Sequence, residues 1–154
     1  MLQYDNKDWK FIPVVKNAYV TALANGNDGK LYVGTHLGHF GYLAPDKTGE
    51  MAFNPLMGNL PEGIGGLGYV FRIHVIGQKV FFQSENQIYL LEGNKVRVLG
   101  TKASFHLSFQ VNGRFYVRDR GAGLLVYEKD GLVKAKNAKA FKDLGVFGIV
   151  PVNS

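Results

Sequence analysis

The chain has 154 residues, the size of one ordinary domain and enough to bury a core. Apolar residues make up 46% and charged residues 19%. The net charge of +6 can attract nucleic acid or acidic ligands without showing that either is bound. With no cysteine, disulfides and thiolate chemistry are excluded; twenty glycines and twenty aromatics favour short strands and tight turns over helices.

The opening "MLQYDNKDWKFIP" lacks the apolar core of a signal peptide, and no apolar run in the chain is long enough to cross a membrane. Within it, "WKFIP" (9–13) reads as a strand. "YVTAL" (19–23) reads as another, followed by "DGKLYVGTHLGHFGYL" (28–43), a polar turn and two strands, and then by the strand "EMAFN" (50–54). "GIGGLG" (63–68) satisfies the letters of a dinucleotide-binding fingerprint. That motif needs a strand before it and a helix after it, whereas here the turn-like "MGNLPE" precedes and the strand "YVFRIHVI" (69–76) follows. It is therefore read as a flexible connection, and no NAD site is expected. The same order then recurs: "GQKVFFQSENQIYLL" (77–91) and "KVRVL" (95–99), then "SFHLSFQV" (104–111), "NGRFYVRDRGAGLLVY" (112–127) and "GLVKA" (131–135). "AKNAKAFKDLG" (135–145) supplies at most a short turn of helix, and "VFGIVPV" (146–152) reads as one more strand.

The central aromatics Tyr32, Phe81 and Tyr116 are 49 and 35 residues apart. Their mean spacing falls within the period of roughly 40–50 residues of four-stranded propeller blades. The expected fold is thus all-β, a partial β-propeller of about three antiparallel meander blades at approximately 18–55, 68–100 and 103–136. "WKFIP" would be the outer strand of a preceding blade and "VFGIVPV" the first strand of a following one. A compact β-sandwich is the rival architecture. Three blades form an arc, so apolar flanks and unpaired edges are expected to promote self-association, with "VFGIVPV" pairing at an open edge.

"VTALANGNDGKLYVGTHLGHFGYL" (20–43) resembles the two-component regulator propeller repeat. Val20, Thr21, Leu23, Asp28, Gly29, Leu31, Tyr32, Val33, Gly34, Thr35 and Gly38 fit its pattern position by position. The later units diverge, with Gln83-Ser84 and Arg118-Asp119 in place of Gly34-Thr35. The resemblance implies a piece of the periplasmic sensor propeller of a membrane-anchored bacterial regulator, in which a triple-tyrosine domain, a membrane span and an output domain follow. It also suggests carbohydrate breakdown products as the ligand class.

Candidate ligand residues are those in equivalent turns between second and third strands: His36, His39, Gln83, Glu85, Asn86, Arg118, Asp119 and Arg120. Their plain alternative is ordinary hairpin turns. His36 and His39 have the spacing of two metal ligands, but no third is evident, and no metal or other cofactor is expected. His74 and His106 alternate with apolar neighbours and read as hydrogen-bonded histidines beside an adjacent blade or the central channel. "RFYVRDRG" (114–121) does not match an RNA-binding sheet, and Lys134, Lys136, Lys139 and Lys142 suit a solvated loop, so no nucleic-acid binding is expected. The acids Glu50, Glu62, Glu85, Glu92, Asp119 and Glu128 are scattered, and no nucleophile–base set is legible. A non-catalytic sensor binding a small molecule or oligosaccharide is the leading reading. A protein-interaction scaffold, or part of a propeller lyase or glycan hydrolase, is the alternative.

Overall fold

A computed structural model describes residues 1–4, 6–64 and 68–152. Among these, three four-stranded antiparallel sheets follow one another along the chain, each in simple meander order. Sheet I is β3 (Val20–Asn25), β4 (Leu31–Thr35), β5 (Phe40–Pro45) and β6 (Met51–Pro55). Sheet II is β7 (Arg72–Ile76), β8 (Lys79–Gln83), β9 (Gln87–Glu92) and β10 (Lys95–Gly100). Sheet III is β11 (Phe105–Val111), β12 (Arg114–Asp119), β13 (Gly123–Glu128) and β14 (Gly131–Lys134). A hairpin of β1 (Leu2–Tyr4) and β2 (Trp9–Phe11) precedes them. The chain is all-β, with propeller-blade sheets. The turns follow from their residues: between β11 and β12, Asn112 (φ 48°) and Gly113 (φ 70°) hold the two positive φ values of a type I′ hairpin.

Tyr32, Phe81 and Tyr116 occupy the second strand of their respective sheets. Strand alternation sends successive side chains to opposite faces, and β8 shows why the sheets stack as blades. Phe82 points to sheet I, where it meets Phe40 (centroids 4.8 Å apart) and Tyr32 (5.9 Å). Phe81 points to sheet III and stacks on Phe115 at 4.2 Å and 6°. Two apolar cores result: one around Tyr32, Phe40, Val70, Phe82 and Tyr89, the other around Phe81, Leu90, Phe105, Phe115 and Val117. Strand β7 lies against both β3 and β11, so the first strands are the innermost.

The ends differ from the expectation of bare flanks. Val33 and Leu43, on the outer side of sheet I, are fully buried under Ile12, Met1 and Val14. On the outer side of sheet III, a 3-10 turn at Ala138–Phe141 buries Ala138 against β13. "WKFIP" does contribute a strand, but β2 pairs with β1, a segment to which no strand had been assigned. "VFGIVPV" forms no strand; a first strand gains its ladder from a second, and none is present beside it. Gly65, Gly66 and Leu67 of "GIGGLG" lie outside the described residues. On either side of them, a turn at Gly63 (φ 79°) comes before and β7 follows after Gly68, with no helix there.

Candidate ligand site

Each second strand ends in a pair of residues with a fixed division of labour. The second member closes the turn to the third strand. Thr35 Oγ1 donates to the His39 carbonyl (3.0 Å), and Ser84 Oγ donates to the Gln87 carbonyl (2.9 Å). Asp119 Oδ1 accepts the backbone N–H groups of Gly121 and Ala122 (2.7 Å each), while its Oδ2 accepts the Thr101 hydroxyl. All three are buried. The first member faces the next unit along the chain. At Gly34 a Cβ would lie 2.5 Å from Val70 Cγ1, so the backbones approach closely. Gln83 Nε2 donates to the His106 carbonyl (3.1 Å), and Arg118 Nη2 donates to the Lys142 carbonyl (2.6 Å). Of the expected ligand residues, Gln83, Arg118 and Asp119 are thus buried in contacts that hold neighbouring segments together.

β-Bulges serve the same junctions. The register of β3 shifts between Val20 and Ala22, re-aiming Thr21, whose hydroxyl lies 2.5 Å from the Val70 carbonyl and 3.2 Å from that of Gly34. That of β11 shifts between Phe105 and Ser108, leaving the His106 carbonyl for Gln83.

Among the described residues, one serine–histidine side-chain hydrogen bond is present. His74 Nε2 is 2.8 Å from Ser108 Oγ. The Ser108 hydroxyl donates to Gln83 Oε1, so His74 must be the donor in their bond. The proton therefore sits on Nε2, the wrong tautomer for a general base, and Ser108 is fully buried. Burial, reinforced by the Arg72 charge, lowers the His74 pKa to about 4. The group ties β7 to β11, in keeping with the sequence reading of a hydrogen-bonded histidine beside an adjacent blade.

At the end of the sheets where the second strands turn into the third, a cleft of about 290 Å³ opens between sheets II and III. Gly68, Tyr69 and Phe71 lead into β7, Ser84 to Gln87 form the turn of sheet II, and Phe105, His106 and Arg120 come from sheet III. Tyr69 is 46% exposed and its ring lies over Phe71 at 6.0 Å and 26°. Glu85, Asn86 and Arg120, all exposed, keep their side-chain polar groups free of hydrogen bonds and ion pairs with the described residues. His106 Nδ1 is buried without a partner. Burial lowers the His106 pKa, and the charges of Arg120, Arg118 and Arg72 lower it further.

Three of the eight sequence candidates, Glu85, Asn86 and Arg120, come together in this cleft. His36 and His39 belong to the turn of sheet I. His36 stacks on Tyr19 at 3.7 Å and accepts its backbone N–H (3.2 Å), and His39 Nδ1 is buried and unpartnered. Among the described residues, no group of three His, Asp or Glu side chains is placed to hold a metal ion. Sequence reading missed Tyr69, Phe71 and His106 as cleft residues. The signal was the aromatic lead-in to a first strand, "YV" at 19–20 and again at 69–70.

A larger cleft, about 420 Å³, lies at the opposite end between sheets I and II. Part of its polar lining is already engaged: Lys30 Nζ pairs with Asp28 (2.7 Å), the Tyr32 hydroxyl donates to Asp28 (3.0 Å), and Asn27 donates to the Gly77 carbonyl. Burial and Asp28 push the Tyr32 pKa up to about 12. The smaller cleft has more unengaged hydrogen-bonding groups to offer a ligand.

No family model matches the chain, and neither does any curated protein. The solved structures similar to this chain include the following two. One is a putative hybrid two-component system's extracellular domain from B. thetaiotaomicron (TM-score 0.55, 18% identity, 82% of this chain and 18% of that one). The other is a catalytically inactive virginiamycin B lyase from Staphylococcus aureus with quinupristin (TM-score 0.54, 14% identity, 77% of this chain and 41% of that one). This chain spans less than half the length of either. Sheet order, the inward first strands and both likenesses agree that the chain has a β-propeller fold, of which it supplies three blades.

Proposed function

We propose that this chain is the ligand-sensing part of a two-component-type regulator propeller. It acts by binding, without catalysis, on an oligosaccharide or related small molecule outside the cytoplasmic membrane. The observation that carries the reading is the cleft of Tyr69, Phe71, Glu85, Asn86, His106 and Arg120, built from four chain segments and rich in unengaged polar groups beside an exposed aromatic. Likeness to a sensor's extracellular domain supports it, as does the resemblance of residues 20–43 to the regulator repeat. A sensor needs a ligand that binds one state better than another, and a cleft between two blades couples ligand contacts to their relative packing. Among the described residues, no helix is long and apolar enough to cross a membrane.

Titration calorimetry of the whole chain against an oligosaccharide panel tests the reading. Binding that is lost in Tyr69→Ala and Asn86→Ala, and kept in Asn27→Ala at the opposite cleft, is expected. Binding untouched by the first two variants, or turnover of any panel member, overturns it. We also propose self-association. Leu2, Tyr4, Trp9 and Phe11 share one face of the β1–β2 hairpin and are 51–73% exposed, and Phe147, Val150 and Val152 are more exposed still. Light scattering over a dilution series should show a concentration-dependent dimer; a monomer throughout refutes this.

A further inference from the structure

Resting on the ligand-site reading above, we infer that the cleft takes a hydroxyl-bearing ring with an anionic substituent, an acidic sugar. Arg120 receives the anion, Glu85 accepts hydroxyls and the exposed ring of Tyr69 covers a sugar face.

The distribution of charge carries the inference. The ion pairs among the described residues that involve Lys30, Lys79, Arg97 and Arg114 all join residues at the turn end opposite the cleft or near it: Lys30–Asp28, Lys79–Glu92, Arg97–Glu92 and Arg114–Glu128. At the cleft end the balance is different. Arg72 donates to the Ser108 carbonyl (3.2 Å) and Arg118 to the carbonyls of Phe141 and Lys142. Neutral carbonyls orient a guanidinium without cancelling its charge, and among the described residues no carboxylate pairs with either arginine, or with Arg120. All three charges act on the imidazole of His106 and oppose its protonation. That end therefore holds three guanidinium charges, one of them exposed, against two carboxylates, the buried Asp119 and the exposed Glu85. Such a field favours an anion, and it acts at short range through a partly desolvated cleft.

Glu85 restricts which anion. Its carboxylate faces the same cleft and repels a bare oxyanion, but it accepts hydrogen bonds from hydroxyls. The Tyr69 ring, overlapping Phe71, offers a flat apolar surface suited to the C–H face of a pyranose. Anion, hydroxyls and an apolar ring face together describe an acidic sugar better than inorganic sulfate or a neutral saccharide.

Calorimetry on the whole chain, with uronate-containing oligosaccharides, their neutral counterparts of the same linkage, and inorganic sulfate, tests this. The acidic oligosaccharide should bind about tenfold or more tightly than the neutral one, the worth of one charge-assisted hydrogen bond. Arg120→Ala should erase that preference, and Arg120→Lys should restore part of it. Arg120 is exposed and its side chain holds no structural contact, so the variant folds; an unchanged thermal midpoint checks that. Equal binding of acidic and neutral oligosaccharides at the Tyr69 cleft overturns this inference and leaves the ligand-site reading standing. Sulfate binding as tightly as the acidic oligosaccharide overturns it too. If no saccharide binds, both fall.

Discussion

The two junctions between blades solve one packing problem in opposite ways. Between sheets I and II the junction is close and largely apolar: Gly34 lets the backbone meet Val70, and Phe40, Tyr89 and Phe82 fill the space behind. Between sheets II and III, Gln83 replaces the glycine, and a chain of polar groups runs from Gln83 to Ser108, His74 and the His106 carbonyl. A glycine junction is tight and has no side chain to satisfy. The glutamine junction is held by polar groups that must stay paired, because Gln83 and Ser108 are fully buried and His74 is half-buried. The candidate cleft of Tyr69 and Arg120 opens at this second junction, and the larger cleft at the first.

The largest effect that would test this contrast is removal of Phe81. Its ring is stacked on Phe115 in the core of the second junction, so Phe81→Ala should cost about 3–5 kcal/mol in denaturant unfolding. A cost below 1 kcal/mol would show that the polar chain alone holds sheets II and III together.

Acid should weaken the second junction through His74. His74 has a pKa of about 4 when folded, against 6.5 ordinarily, because burial and Arg72 disfavour its charged form. The unfolded chain therefore takes up the proton first as pH falls. The contribution is complete above pH 6.5, is lost progressively as pH drops from 6.5 to about 4, and changes no further below that. The loss is on the order of 2–3 kcal/mol. In His74→Asn this component of the pH profile should vanish; an identical profile in the variant would assign the acid sensitivity elsewhere.

The smallest effect belongs to the first junction. Gly34→Ala places a methyl group 2.5 Å from Val70 Cγ1, and Val70 is fully buried, so the sheets must move apart at a cost of about 1–3 kcal/mol. Adding Val70→Ala should recover part of that loss. A neutral Gly34→Ala would mean that the close approach is not what sets the spacing.

Much of the fold was legible because its signals are local. Polar turns flanking alternating strands mark each hairpin, and the recurrence of Tyr32, Phe81 and Tyr116 marks the blades. What escaped reading were the ends. The partner of "WKFIP" is a three-residue strand too short to show periodicity, and "VFGIVPV" has the composition of a strand but no ladder to join. The site was legible by half. Turn position pointed to Glu85, Asn86 and Arg120, but it pointed equally to Gln83, Arg118 and Asp119, which are buried.

The amino-acid sequence by itself determined the strands, their turns and their repetition, since hairpin register depends on residues only a few positions apart. Only the tertiary structure decided which turn residues face solvent and which lock the next blade. Gln83 and Glu85 are two residues apart and equally polar, yet one reaches Ser108 across the junction and the other lines a cleft. The direction of a side chain relative to a neighbouring sheet depends on how blades stack, a contact between segments 25 residues apart at Gln83 and Ser108. Local spacing carries no record of that.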